Sequence, residues 1–366
     1  MATKYVLPIL AIFLGLGTRL FLAHYYHGND DQISYEIVSA ILERGGNVYS
    51  ETQRYNYSPL WAQLLLYLKS LSNLTNLPFH SIIRGFLSLV DLLNGVFIGL
   101  ISSQIFTNRS STSGFSLYLL NPVSLLIVGY HGQFDNLAAL PLLVATYWYI
   151  RTNDKSSIVP IWLLGTLAVI IKHTTVFGAL TLFVLTARNH RHAWIMFLLT
   201  LIVFLGSFFV YFPEGQAGII NNVFLYRSKP DQYGLGELLP DYLSAPIFFI
   251  LMMLVPFIAK HYLKLSLAQG LLFAFVAFIT LTYGIAEQYF ILPILWGSIL
   301  PGAWYWGFTL VATIFLIGSP NNLDIPYIPA VWNTVWLAAS GWLLSYFLTW
   351  RTGPKVSKGH RDLCHD

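Results

Sequence analysis

The chain alternates long apolar runs with short polar breaks. The runs fall at 5–24, 58–77, 80–106, 114–130, 136–150, 158–171, 174–187, 193–212, 243–259, 265–283, 289–300, 303–318 and 330–350. A helix needs roughly 20 apolar residues to cross the hydrocarbon core of a bilayer. The longer runs reach that length and several fall short. Runs 158–171 and 174–187 meet at Lys172 and His173, and charge at such a point needs water or a partner. That spacing predicts a helical hairpin whose tip reaches an aqueous cavity. The fold class predicted is all-α, a polytopic transmembrane helical bundle of about 11–13 helices with short helical hairpins. No linker, low-complexity segment or fixed-period repeat divides it, so residues 1–366 read as one transmembrane domain.

Composition agrees with the pattern. Only 10% of the 366 residues are charged and 56% are hydrophobic, with a mean hydropathy of +0.62. A soluble domain carries roughly 25% charged residues, enough to coat a water-facing surface. The first run has no clear small-residue cleavage site after it, and reads as a retained first helix.

Charge then orients the bundle. Arg109, the stretches 151–155, 188–192 and 260–264, and Arg351, Lys355, Lys358 and Arg361 in the tail mark cytoplasmic loops. With a net charge of only +4 spread in this way, nothing suggests a nucleic-acid partner. Loops 25–57 and 213–242 carry most of the acids and read exoplasmic, as do the tips at 131–136, 172–175 and 284–288. This layout allows one net crossing in 58–106, where two apolar runs lie, so one of them must dip, re-enter or lie along the surface. Aromatic groups at 147–149 and 304–306 suit the headgroup level. The single cysteine, Cys364, allows neither an intrachain disulfide nor a cysteine metal site.

Six polar constellations interrupt the apolar pattern, all on the side read as exoplasmic. Asp30-Asp31 follows the first helix and can act as a base, bind a cation or simply sit in solvent at a helix start, with Asn29 or Asp30 as N-cap. Tyr55-Asn56-Tyr57-Ser58-Pro59 enters a helix with proline in its first turn, which also suits a plain aromatic anchor. His131-Gly132-Gln133-Phe134-Asp135-Asn136 holds four hydrogen-bonding side chains where a hairpin turn needs one or two, which points to a polar cavity. Lys172-His173 lies too deep for easy snorkelling. Arg227 in Tyr226-Arg227-Ser228-Lys229 suits a phosphate, or is a loop charge. Glu287-Gln288 opens a late helix, where Glu287 also suits the helix N-terminus. Acids, bases and phosphate-type donors gathered at one membrane face suggest a lipid-phosphate substrate.

On these motifs the chain resembles the GT-C superfamily of glycosyltransferases, membrane enzymes that use polyprenyl-phosphate sugars. Asp30-Asp31 is similar to the family's first-loop acidic motif, and Tyr57-Ser58-Pro59-Leu60 to its Tyr-Pro-Pro-Leu element, with Ser58 in place of the first proline. Asn121-Pro122 through Asp135 resembles its second acidic element. The stretch 131–136 is similar to His-Phe-Gln-Tyr-Asn of the dolichyl-phosphate-glucose glucosyltransferases. Tyr55-Asn56-Tyr57-Ser58-Pro59-Leu60 and Glu287-Gln288-Tyr289-Phe290 resemble elements of the first mannosyltransferase of glycolipid-anchor synthesis. Asn56 stands where the glucosyltransferases carry an acid, which shifts the base to Asp30 or Asp31.

The resemblance implies inverting transfer of mannose or glucose from a polyprenyl-phosphate donor to a lipid- or protein-linked glycan acceptor. It implies Asp31 or Asp30 as base and Asp135 as the second acid. His131, Lys172, His173 and Arg227 would meet the donor phosphate, with Tyr57, Gln133, Asn136, Glu287 and Gln288 lining the substrate site. The resemblance fixes no cofactor: many relatives work without a metal, and Asp30, Asp31 and Asp135 could offer hard oxygen ligands to a divalent cation. The competing class is a lipid-linked sugar transporter or flippase. It is disfavoured by the want of an inverted repeat and of a charge pair in the middle of a long helix.

Overall fold

A computed structural model describes residues 3–106, 111–152, 158–229, 233–318 and 332–352. Of the described residues 83% are helical and none forms a strand, so the fold is an all-α bundle. Its helices are α1 (Thr3–Tyr25), α2 (Asp30–Glu43), α3 (Val48–Glu51), α4 (Pro59–Thr75), α5 (Phe79–Ile105), α6 (Ser111–Leu119), α7 (Pro122–Ser124), α8 (Asp135–Thr152), α9 (Ile158–Ile171), α10 (Val176–Thr186), α11 (His190–Gly206), α12 (Phe212–Gly218), α13 (Leu235–Leu238), α14 (Asp241–Phe257), α15 (Leu267–Leu281), α16 (Ile291–Ile299), α17 (Ala303–Gly318) and α18 (Trp332–Thr352). These 18 helices exceed the expected number because α2, α3, α12 and α13 form inside the polar loops, where apolar runs give no signal. Arg109, Lys155, Asp231, Lys355, Lys358, Arg361 and Cys364 lie outside the described residues.

Among the described residues three helical stretches are long and apolar enough to cross a membrane, namely Val6–Tyr25, Phe79–Ile105 and Asp241–Tyr262. A fourth arises if a bent pair counts as one span. Run 114–130 breaks at Asn121, which caps α7 through Val123 N, and Pro122 starts the new helix with a bend of 47°. Between 58 and 106, only α5 has the length and composition to cross. α4 is amphipathic, with Trp61, Ala62, Leu65 and Leu68 buried on one side and Tyr67 and Leu74 exposed on the other.

The core runs through α15 and α16. α16 is buried on every side, as befits a helix that is apolar all round. The outer helices instead present apolar side chains outward, among them Phe13 on α1, Ile202 on α11, Ile250 on α14 and Leu310 on α17. One aromatic group differs from expectation. Trp304 and Trp306 are exposed, but Tyr305 is buried and hydrogen-bonds Asn121 at 2.9 Å.

The polar breaks sort by character. At one end the basic breaks meet. Lys260 donates to the Val184 carbonyl at 2.5 Å, and the His190 and His261 rings lie 4.9 Å apart. Elsewhere the acid-bearing segments pack together. Asn47 donates to the Tyr211 carbonyl at 2.9 Å, which docks α12 on α3 and brings segments 25–57 and 213–242 into contact.

Candidate functional site

The site starts at α2. Asn29 accepts from Asp31 N at 3.2 Å and is the N-cap. Both acids are therefore released from capping. Asp30 faces outward and is exposed, whereas Asp31 is half-buried and points into the protein. Its Oδ2 accepts from the Gln133 amide and from Asn29 at 3.2 Å. Its Oδ1 accepts no hydrogen bond among the described residues. Next in sequence, Gln32 donates to the His131 carbonyl at 2.8 Å. The first loop is thus stitched to the 130–133 turn. Gly132 makes that turn possible. Its φ is +69°, and a Cβ there would come within 2.4 Å of the Gln32 amide.

Asp135 opens α8 at the far side of the turn. It is fully buried, and its Oδ2 accepts from Lys172 Nζ at 2.6 Å. The ammonium lies 4.5 Å from the Phe134 ring centroid, 5.0 Å from that of Tyr57 and 5.8 Å from that of Tyr289. Ser58 sets this geometry. Its hydroxyl donates to the Ile170 carbonyl and to that of Ile171 at 3.3 Å. These are orphan carbonyls at the end of α9. Binding them ties the end of α9, just before Lys172, to the segment that carries Tyr57, a task that a proline in place of Ser58 could not perform. The hairpin of α9 and α10 forms as expected, but its tip does not reach an aqueous cavity. Lys172 is 1% exposed and is satisfied by a carboxylate and three rings.

A second ion pair adjoins the first. Glu287, on the turn before α16, accepts from Lys229 Nζ at 2.6 Å and approaches His131 Nδ1 at 3.8 Å. Lys229 also lies 5.0 Å from the Trp332 ring centroid. Arg227 stands at the edge, paired with Asp241 at 2.8 Å and stacked near Tyr283 at 5.0 Å. Gln288 is half-buried on the same turn as Glu287. Burial first, and the Asp31 carboxylate next, push the Tyr35 and Tyr57 phenols well above the usual tyrosine range, so both stay neutral donors.

The structure therefore brings together Asp31, Tyr57, His131, Gln133, Asp135, Lys172, Glu287 and Lys229, from all six constellations. Three of the expected groupings do not form in this cluster. His173 turns toward Phe204, with ring centroids 6.4 Å apart, and joins none of these partners among the described residues. Asp30 faces away from the cluster. The carboxylates of Asp30, Asp31 and Asp135 do not assemble as a ligand set, because Asp135 is committed to Lys172 and Asp30 to solvent. Among the described residues no group of three or more His, Cys, Asp or Glu could hold a metal ion.

A further network escaped the sequence reading. Arg19 on α1 and Asp91 on α5 form a fully buried pair at 2.9 Å, each well inside a long apolar helix. This overturns the expectation that no such pair exists. Asn136 joins it, donating to Asp91 Oδ1 at 2.9 Å. Arg84 clamps the end of α1 to the turn before Gly132, donating to the Ala23 carbonyl at 2.8 Å and the Tyr130 carbonyl at 3.0 Å. Arg84, Asp91 and Asn94 share one helical face at spacings of seven and three. That polar stripe within an apolar run was the available signal.

Scans of the chain against protein-family models, curated proteins and solved structures find no match.

Proposed function

We propose that this chain is a multi-pass integral membrane glycosyltransferase of the GT-C type. It moves a hexose, mannose or glucose, from a polyprenyl-phosphate donor to a lipid- or protein-linked glycan at the exoplasmic face. The observation that carries the reading is the environment of Asp31. Its Oδ2 is held by Gln133 and Asn29, its Oδ1 is uncommitted, and a cluster of cations and neutral phenols lies behind it. In the reaction Oδ1 takes the acceptor hydroxyl proton as that oxygen attacks the anomeric carbon. The new C–O bond forms on the face opposite the phosphate. The old C–O bond breaks, and its electron pair leaves with the polyprenyl phosphate. Arg227 and Lys229, the partly exposed cations of the site, are suited to that developing charge. Lys172 is buried against Asp135 and serves the site through its field. Apolar outward faces on α1, α11, α14 and α17 and the three long apolar helices support membrane insertion.

The Arg19–Asp91 pair favours a second reading, because buried intramembrane charge also marks transporters. One experiment separates the two. The purified chain is reconstituted in proteoliposomes with labelled polyprenyl-phosphate mannose or glucose and a membrane-extract acceptor. Covalent transfer that stops in Asp31→Asn supports the transferase. Label that crosses the bilayer chemically unchanged, with no covalent transfer, supports a flippase and overturns the transferase reading.

A further inference from the structure

A cleft of about 410 Å³ lies away from the Asp31 cluster, between α3 with its following turn and α12 with the turn at 219–224. Pockets that hold small ligands run from roughly 300 Å³ upward. Its walls are fixed before any ligand arrives. Gly215 and Gly218 let α12 close on Tyr49, and a Cβ at Gly218 would lie 1.7 Å from the Tyr49 carbonyl oxygen. Asn47 ties α3 to Tyr211 at 2.9 Å, and Asn222 reaches the Thr52 carbonyl at 3.5 Å.

The chemistry of the lining is specific. Gln53, Asn221 and Glu214 are exposed at the cleft, and their side chains make no hydrogen bond among the described residues. Amides offer paired donors and acceptors, and a carboxylate accepts from two adjacent hydroxyls. No lysine or arginine lines the space among the described residues. Glu51, the other acid, is committed to Arg44 and to Asn47 N. A phosphate would find acids, amides and hydroxyls here but no lining cation among the described residues, whereas the cations gather at Arg227, Lys229 and Lys172. The cleft is coupled to the cluster by aromatic packing. Tyr49 donates to the Tyr57 carbonyl at 2.8 Å, and the Tyr57 ring covers Lys172.

We infer that this cleft is a subsite for a neutral sugar unit of the acceptor, one that does not itself react. The inference rests on the transferase reading for the word acceptor, but the binding it describes does not require turnover. The protein thereby separates its two substrates by charge. The anionic donor is drawn to the cationic side and the uncharged glycan to the amide-lined side. An acceptor longer than one sugar would bridge cleft and base.

The test uses the full chain in nanodiscs and saturation-transfer NMR with a panel of methyl glycosides of mannose, glucose, galactose and N-acetylglucosamine. At least one glycoside should bind. Ala217→Trp, which fills the cleft from an exposed helical position, and Asn221→Ala should each weaken it by about tenfold or more. Inorganic phosphate should not compete, and Asp31→Asn should bind as the parent does. Absence of glycoside binding overturns the inference, as does binding that ignores both cleft variants or is displaced by phosphate. Where turnover is measurable, the cleft variants should raise the acceptor KM with kcat and donor KM held. Turnover with an unmoved acceptor KM refutes the subsite and leaves the transferase standing. Glycoside binding in the cleft without any turnover does the reverse.

Discussion

Two buried ion pairs meet at neighbouring residues, Asp135 in one and Asn136 bonded to the other, and they are built differently. Arg19–Asp91 is saturated. Asp91 accepts from Arg19, Ser124, Tyr118 and Asn136, and Arg19 also donates to the carbonyls of Gly15 at 2.9 Å and Leu119 at 2.8 Å. Lys172–Asp135 has one hydrogen bond between its partners, aromatic faces around the ammonium, and no partner for Asp135 Oδ1 among the described residues. Burying a charge is costly, and a pair repays that cost only when its remaining hydrogen-bonding capacity is filled. The first pair meets that condition and acts as a staple across α1, α5 and the turn at Ser124. The second does not, and it sits one residue from Phe134 and two from Gln133, which holds Asp31. Under the proposed transferase reading, saturation separates a charge used for folding from one kept available for chemistry.

The sharpest test of this contrast is at the cluster. Asp31→Asn should lower turnover by about 100- to 10,000-fold, the usual worth of a general base, with donor binding retained. Asp30→Asn should stay near the parent, because Asp30 faces solvent and Asn29 caps α2. Equal losses in the two variants would remove Asp31 from its role. The staple should show in stability. Asp91→Leu or Arg19→Met alone should cost about 3–5 kcal/mol in thermal or denaturant unfolding, since each strands a buried charge. The double variant Arg19→Met/Asp91→Leu should recover most of that and keep turnover. Lys172→Met/Asp135→Leu should also fold but lose turnover. If the two doubles behave alike, the contrast fails.

Smaller effects belong to the rim. Arg227→Ala should weaken donor binding by about 1.5–3 kcal/mol, the worth of a charge-assisted contact, in an equilibrium assay with the lipid donor. Unchanged affinity would leave Arg227 as a partner of Asp241 only. The exposed pair Arg44–Glu51 gives the lower bound. Its side chains are 59% and 35% exposed, and Arg44→Ala should change stability by at most about 1 kcal/mol, and less at high salt.

The all-α class, the chain positions of most helices and the polar constellations were legible in the sequence, because each rests on local pattern. An apolar run predicts a helix wherever it packs, and a histidine, glutamine, aspartate and asparagine inside one such run announce a polar site without further context. Even the hairpin at Lys172 follows from two short runs meeting at a charge. Which side chains answer one another was not local. Asp30 and Asp31 are adjacent and chemically identical, and only the turn of α2 from its Asn29 cap sends one to solvent and the other to Gln133. Lys172 needed a partner, but Asp135 lies 37 residues away, and only the packing of α8 against α9 makes it that partner rather than water. The Arg19–Asp91 pair spans 72 residues, and each member looks like an isolated blemish in an apolar helix until the helices meet. Local pattern fixes where a polar group sits along a helix, because that depends on neighbours within a turn or two. Tertiary packing alone decides whether its charge is neutralised, shared or left free, because the partners come from elsewhere in the chain.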